Sequence, residues 1–139
     1  MAIDDLKLGR WEKLVWNIPF NGLGAMLDLT TDRLLATERG VEQVRAVMRE
    51  VIAAAGAMGV VLDEGIIEQK IAATRPMGPY RTSTQVDRQM GKRLEIESIF
   101  GRPVKVAESA GVAVPLMKLL YFALSELSAA TGDGNRQGG

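Results

Sequence analysis

The sequence predicts an all-α domain of six to seven helices. Apolar residues recur at helical spacing along almost the whole chain. Glycines and prolines divide this pattern into segments of ordinary helix length, and no two neighbouring segments alternate as paired β-strands do. The 139 residues show no internal repeat. A chain of this length is one domain and buries roughly 68% of its unfolded surface, so we expect a single core.

The segment RWEKLVWNIPFNGL predicts the first helix and carries an unusual polar row. Lys13, Asn17 and Asn21 stand four residues apart, so they lie along one face of a continuous helix, drifting about 40° per step. Pro19 lacks an N–H, removes one main-chain hydrogen bond and predicts a kink between the two asparagines. Two interpretations are open. The row forms one wall of a concave site, or the asparagines satisfy the broken backbone and Lys13 is a surface charge.

The next predicted helix runs from Glu38 to Gly59. Its apolar stripe consists of Val41, Val44, Val47, Met48, Val51, Ile52 and Ala55. Gly56 and Gly59 are typical of a helix C-terminus. Asp63 can cap the helix that follows, and Pro76 ends it.

Four more helices are predicted before the end of the chain. Their expected bounds are Thr82 or Ser83 to Met90, Leu94 to Phe100 with a stop at Gly101, Pro103 to Gly111, and Pro115 to Leu127. We therefore expect a helical domain over residues 1–131. The tail at 132–139 has nothing to bury and should be disordered.

Composition excludes several classes of function. The chain has no cysteine and no histidine, which excludes disulfides, Cys/His zinc sites and histidine-based triads. Lys+Arg and Asp+Glu are 17 each, so the zero net charge favours neither a nucleic-acid nor a membrane partner. The sequence shows no phosphate loop and no metal-ligand spacing. It opens without the apolar core of a signal peptide and has no membrane-spanning run, so a cytoplasmic protein is expected.

A second group of polar residues lies in STQVDRQMGKRLEIESIFG. Ser83 stands in a capping pattern at a helix start, and Glu95 and Glu97 flank Ile96. The plain interpretation is a capped helix, a glycine turn and a solvated acidic face.

Three motifs together resemble the C-terminal domain of the ketopantoate reductases (2-dehydropantoate 2-reductases). KLVWNIPFNGLGAML is similar to the segment K-x-x-x-N-x-x-x-N that opens that domain. STQVDRQMGKRLEIESIFG resembles the family's S-x-x-x-D-x-x-x-x-R-x-x-E-I-D-x-x-x-G, and GVAVPLMKLLYFAL resembles its closing helix. The motifs follow in family order from about residue 8 to residue 127.

The resemblance implies a fold and an activity. The fold is the 6-phosphogluconate dehydrogenase C-terminal-domain-like helical fold of these enzymes. Family members pair it with an N-terminal Rossmann domain, absent from this chain, which holds NADPH. They reduce a ketopantoate-like 2-oxo acid to the 2-hydroxy acid by hydride transfer, in pantothenate biosynthesis, and are expected to form homodimers. This domain alone should be inactive.

The resemblance also implies roles for individual residues. Lys13 would be the general acid, and Glu95 would orient the substrate and Lys13. Asn17 and Asn21 would hold the substrate hydroxyl, and Ser83 its carboxylate. The residue types suit the reaction, because a reduced ketone develops negative charge on oxygen and a lysine ammonium is protonated at neutral pH.

The sequence departs from the family pattern near the site. Leu94 replaces the usual Thr before the Glu, Glu97 replaces the usual Asp, and Thr84 stands where a Met is common. These differences bear on the identity of the substrate.

Two other functions compete with the reductase. One is a free-standing helical dimerisation or interaction module that has lost catalytic activity. The other, a helical DNA-binding domain, is poorly supported because the chain has no basic recognition helix.

Overall fold

The computed structural model describes the main chain of residues 3–137 and the side chains of residues 5–130. Within that range the chain forms seven α-helices and no β-strand, which confirms the all-α prediction. The helices are α1 (Ile3–Leu27), α2 (Thr31–Leu34), α3 (Glu38–Ala57), α4 (Gly65–Thr74), α5 (Ser83–Gln89), α6 (Arg102–Ser109) and α7 (Pro115–Gln137). A 3-10 turn (Arg75–Met77) follows α4, and a π turn (Glu97–Gly101) precedes α6.

Helix α1 lies at the centre of the fold and packs against α3, α5 and α7. Val15, Ile18 and Phe20 on α1 are completely buried in the core. Burial on this scale is the main favourable term in folding, at roughly 25 cal/mol per Å² of apolar surface. The central position of α1 means that its polar row is held by the core of the domain.

Pro19 lies inside α1 and is buried, yet the helix continues to Leu27. Trp16 and Phe20, on either side of the proline in the sequence, stack with ring centroids 4.9 Å apart. The Trp16 indole also donates a hydrogen bond to Thr74 Oγ1 at 2.8 Å. The predicted loss of one helical hydrogen bond is accommodated within a continuous helix, and the predicted kink stays a prediction.

Gly22 lies in the interior of α1 at a close approach of two helices. A Cβ atom there would lie 2.9 Å from Leu120 Cδ1 of α7 and 3.1 Å from Phe100 Cε1. A side chain at this position would therefore require the Leu120 and Phe100 side chains to shift within the core. The Gly-Leu-Gly sequence after the second asparagine serves helix packing.

The apolar stripe predicted for α3 faces the core. Its buried members are Val41, Val44, Val47, Met48, Val51 and Ala55, with Ala54 added by the structure. Thr37 caps the helix by accepting a hydrogen bond from the Gly40 N–H at 3.1 Å. The helix ends at Ala57, and Gly59 follows with a positive φ of 79°.

The helix predicted from Leu94 to Phe100 is wrong in its first half and in its end. Leu94 and Ile96 are buried and Glu95 is exposed, which is the alternation of an extended chain. Gly101 does not stop the helical segment, because the π turn runs directly into α6. Leu94 and Ile96 both reach the core because this stretch is extended. Packing of these two side chains in the core therefore overrides the helical pattern of the sequence.

The last helix includes main chain beyond residue 131, where the sequence predicts a disordered tail. The helix is assigned to Gln137, but side chains from residue 131 onward lie outside the described residues. The domain boundary at 131 therefore stays a prediction. No helix in the described part of the chain has the length and apolar character to cross a bilayer.

The start of α7 is capped by a carboxylate from another helix. Glu50 of α3 accepts hydrogen bonds from the main-chain N–H groups of Leu116 at 3.0 Å and Met117 at 2.9 Å. These N–H groups lie in the first turn of α7, where they have no partner within the helix. A negative charge there also interacts favourably with the helix dipole.

We expect Glu50→Ala to lower the free energy of unfolding by about 1–2 kcal/mol, since it leaves two first-turn N–H groups without their acceptor. Urea denaturation followed by circular dichroism measures this loss. Glu42→Ala, on the exposed side of the same helix, is the control and should change stability by less than about 0.5 kcal/mol. Equal losses in the two variants would contradict the capping role.

Candidate functional site

The predicted polar row of α1 runs from the surface into the domain. Lys13 is exposed, Asn17 is half-buried and Asn21 is only 4% exposed. Neither Lys13 nor Asn17 forms a side-chain hydrogen bond or ion pair with any other residue that the structure describes. Their ammonium and amide groups are therefore available to a ligand, whereas Asn21 belongs partly to the interior.

Asn21 connects α1 to the start of α5. Its Oδ1 accepts hydrogen bonds from Thr84 Oγ1 at 2.8 Å, from the Thr84 main-chain N–H at 3.3 Å and from Ser83 Oγ at 3.4 Å. The structure thus brings together Asn21 and Ser83, which lie 62 residues apart in the sequence. Thr84 is a third member of this contact that the sequence did not predict.

The N-terminus of α5 shows why Ser83 faces α1. Thr82 is the capping residue, and its Oγ1 accepts a hydrogen bond from the Gln85 N–H at 3.3 Å. This decides between the two capping residues that the sequence allowed. Ser83 is then the first residue of the helix, and its hydroxyl reaches Asn21 instead of capping its own helix.

The C-terminus of α1 is attached to the same short helix by Arg88. The Arg88 guanidinium donates to the main-chain oxygens of Ala25 and Met26 near the end of α1. A cation at this position satisfies carbonyls that have no helical partner and interacts favourably with the helix dipole. Arg88 and Asn21 therefore hold α5 against α1 at two separate points.

Asp28, just past the end of α1, completes the attachment. Its Oδ1 accepts hydrogen bonds from Gln89 Nε2 at 2.8 Å and Gln85 Nε2 at 3.3 Å. Hydrogen bonds from Gln89 and Gln85, aided by the nearby charges of Arg88 and Arg81, lower the pKa of Asp28 below its ordinary value of 3.8. No sequence pattern predicts this network, because a single Asp after a helix and a QVDRQ segment are both common.

Glu95 lies in the extended stretch between α5 and the π turn, with its side chain exposed. Among the residues described, its carboxylate forms no hydrogen bond and no ion pair with Lys13. The predicted orienting effect of Glu95 on Lys13 is therefore not a direct contact in this structure. Its role stays a prediction, as do the roles of the other four residues.

These groups can stabilise an oxygen that becomes negatively charged. Lys13 offers a cation with protons, Asn17 offers an amide with a free donor and a free acceptor, and Ser83 offers a hydroxyl. The described residues contain no group of three or more carboxylates that could hold a metal ion. The arrangement matches proton donation and polar recognition of a small oxygen-rich ligand.

A family model described as the C-terminal domain of ketopantoate reductase (PanE/ApbA) matches residues 5–128. The chain belongs to the ketopantoate reductase family. The match covers the polar row of α1, the contact with α5 and most of α7. It confirms the resemblance that the three sequence motifs indicate.

Individual members of the ketopantoate reductase family support this assignment. The 2-dehydropantoate 2-reductase of Nostoc sp. is 40% identical over 132 residues, covering 95% of this chain and 41% of that protein. The crystal structure of the Geobacter metallireducens enzyme has a TM-score of 0.85 and 41% identity, covering 87% of this chain and 41% of that one. The Methylococcus capsulatus structure has a TM-score of 0.82 and 38% identity, covering 89% and 43%. The chain thus spans about two fifths of the length of these relatives.

The three residues that depart from the ketopantoate reductase pattern differ in what they contact. Leu94 is buried in the core. Glu97 accepts a hydrogen bond from the Tyr121 hydroxyl at 2.6 Å, which raises the pKa of Tyr121. Only Thr84 touches a predicted site residue, Asn21. Of the three, Thr84 is therefore the one placed to alter ligand recognition, through its hydrogen bond to Asn21.

We expect Asp28→Asn to destabilise the protein at neutral pH and to lose this effect in acid. Because the folded pKa of Asp28 lies below 3.8, its contribution to stability is present above that value and is lost as the pH falls through the folded pKa. Asparagine tolerates the positive φ of 55° at this position. Chemical denaturation at neutral pH and down to about pH 2 measures the difference between variant and wild type.

Asp5→Asn, at an exposed position near the start of α1, is the control and should change stability little at neutral pH. A difference between Asp28→Asn and wild type that stays constant across the whole pH range would contradict the role of the ionised carboxylate.

Proposed function

We propose that this chain is the C-terminal domain of an NADPH-dependent reductase that converts a ketopantoate-like 2-oxo acid into the 2-hydroxy acid, as a step of pantothenate biosynthesis. The observation that carries the proposal is the row of Lys13, Asn17 and Asn21 on the central helix, with Ser83 bound to its buried end. Family membership supplies the reaction class. The cytoplasmic location expected from the sequence stays a prediction.

The proposed reaction assigns proton donation to Lys13. Hydride adds to the keto carbon of the substrate, the C=O π electrons move to oxygen, and the oxygen becomes an alkoxide. Lys13 Nζ gives one proton to that oxygen, which completes the hydroxyl group, and the amine recovers a proton from solvent. A cation beside the developing charge stabilises the transition state as well as supplying the proton.

NADPH, when bound, supplies the hydride. The described residues include no strand and no glycine-rich strand-to-helix turn of the kind that cradles a dinucleotide. We therefore assign the cofactor mainly to a Rossmann domain elsewhere in the same polypeptide. Relatives more than twice as long as this chain, which it matches over 41% of their length, support this arrangement.

An apolar surface near the start of α1 supports docking of that domain. Val61, in the loop between α3 and α4, is 87% exposed, and Leu6 on α1 is 61% exposed. Leu8, Met58 and Val61 line one concave surface, which the charged Asp5 and Lys7 also border. Exposed apolar groups clustered in this way usually mark an interaction surface.

The remaining predicted residues would bind and orient the substrate. In the proposed complex the Ser83 hydroxyl, which donates to Asn21 in this structure, turns to donate to the substrate carboxylate. Asn17 and Asn21 contact the oxygen on the reacting carbon, and Glu95 orients the substrate and Lys13. Because Glu95 is exposed and unpaired among the described residues, this last role requires the substrate or the preceding domain to bring it close to Lys13.

The proposal is tested by measuring the rate at which the full-length enzyme reduces a series of 2-oxo acids with NADPH. We expect Lys13→Ala to lower kcat by about 100-fold or more, because it removes the general acid and the positive charge. Loss of NADPH absorbance measures the rate. Arg39→Ala, which removes an exposed cation on α3, is the control and should keep the wild-type kcat.

An unchanged kcat in Lys13→Ala would contradict the assignment of the acid. A wild-type enzyme that reduces no 2-oxo acid but forms a stable dimer would favour the alternative function, a helical interaction module without catalytic activity.

We further propose that the enzyme is a homodimer that associates through α7. The apolar stripe of α3 is buried within the domain, so it is not available for an interface between subunits. Leu119 and Phe122, three residues apart on α7, are 53% and 64% exposed. A ketopantoate reductase from Staphylococcus aureus, which shares this fold at 19% identity, is dimeric.

We expect the double variant Leu119→Asp/Phe122→Asp to be monomeric, since burying two carboxylates at an interface is strongly unfavourable. Light scattering coupled to size-exclusion chromatography of the full-length enzyme measures the mass. Met77→Asp, on the 3-10 turn at an exposed position, is the control and should keep the wild-type mass. A dimeric double variant would exclude this face of α7 as the interface.

A further inference from the structure

The carbonyl oxygen of Asn21 is fully occupied by hydrogen bonds from α5. It accepts from Thr84 Oγ1, from the Thr84 main-chain N–H and, at a longer distance of 3.4 Å, from Ser83 Oγ. A carbonyl oxygen has two lone pairs, so these donors leave it no capacity for a ligand. The main-chain N–H can only donate, and this fixes which end of the Asn21 amide faces α5.

The NH₂ end of Asn21 is left for other partners. Among the described residues, Nδ2 has no hydrogen-bond acceptor. In the described part of the chain, Gln85 Oε1 is the one fully buried side-chain polar atom without a hydrogen-bond partner. Asn21 Nδ2 also has no partner, so it must be in contact with solvent. The small exposed part of Asn21, 4% of the residue, therefore includes Nδ2.

We propose that Thr84 is a positioning residue that makes Asn21 a donor-only contact for the substrate. This inference rests on the proposed function and deepens it. Thr84 supplies the shortest of the three hydrogen bonds, at 2.8 Å, and is itself 3% exposed, so it cannot rotate away without a cost in packing. The group that binds at Asn21 must then be an acceptor, such as the keto oxygen, the alkoxide or a carboxylate oxygen.

The proposal separates the two asparagines of the row. Asn17, half-buried and without a hydrogen bond to any described residue, presents both its carbonyl oxygen and its NH₂ group. A substrate hydroxyl that donates a hydrogen bond is therefore recognised at Asn17. Asn21 can only donate a hydrogen bond, so it favours a ligand oxygen that accepts one over a ligand group that only donates.

The first test compares Thr84→Val with Thr84→Ser in the full-length enzyme. Valine keeps the shape of threonine but loses the hydroxyl donor, so the Asn21 amide is less firmly oriented. We expect the KM for the 2-oxo acid to rise about 3- to 10-fold, the range set by one hydrogen bond, with kcat within about twofold of wild type. Serine keeps the donor and should restore the wild-type KM.

The second test is Asn21→Asp, which separates the two ends of the amide. The carboxylate can still accept from Thr84 and Ser83, so the α1–α5 contact is kept, and the cost of burying a charge at this 4% exposed position should lower the melting temperature. It cannot donate to the substrate, and we expect KM to rise about 10-fold or more. This variant remains informative if Thr84→Val fails to fold.

Each outcome bears on one of the two proposals. An active wild type with the same KM in Thr84→Val overturns the inference and leaves the proposed function standing. Asn21→Asp with the wild-type KM overturns it as well, since the ligand then needs no donor at this position. A wild-type enzyme that reduces no 2-oxo acid overturns the proposed function, and the inference falls with it.

Discussion

The contact between α1 and α5 is the interaction on which the candidate site depends. It has a polar anchor at each end, Asn21 on one side and Arg88 with Asp28 on the other. Between them α5 is only seven residues long, too short to be stable in water on its own. Its position, and with it the position of Ser83, is therefore set by hydrogen bonds to α1.

The burial of α1 gives this contact its precision. Apolar side chains around the polar row are completely enclosed by α3 and α7, so the helix has little freedom to move. Groups that must orient a small substrate benefit from a rigid support, because misplacement of about 1 Å is costly in catalysis. The exposed end of the row at Lys13 and its buried end at Asn21 lie on that one rigid element. The candidate site is therefore open to solvent at Lys13 and enclosed at Asn21.

Helical periodicity predicted most of the fold because each long helix buries one face. The α3 stripe, the end of α3 near Gly59 and the start of α7 at Pro115 were all predicted from the sequence. Each depends on local geometry or on burial along a single helix. The stretch at Leu94 to Ile96 was not predicted. Leu94 and Ile96 alternate as in an extended chain, whereas Ile96, Ile99 and Phe100 follow at helical spacing, and only the position of the core determines where one pattern gives way to the other.

The sequence by itself determined the helical class, the membership of one family and the choice of Lys13, Asn17, Asn21, Ser83 and Glu95 as candidates. These depend on residue type and spacing, which are written in the chain. Tertiary structure alone decided that Thr84 binds Asn21, that Asp28 and Arg88 secure α5, and that Glu95 stands apart from Lys13 in this domain. Such contacts join residues about 60 positions apart. Their geometry is set by how whole helices pack, which no local pattern encodes.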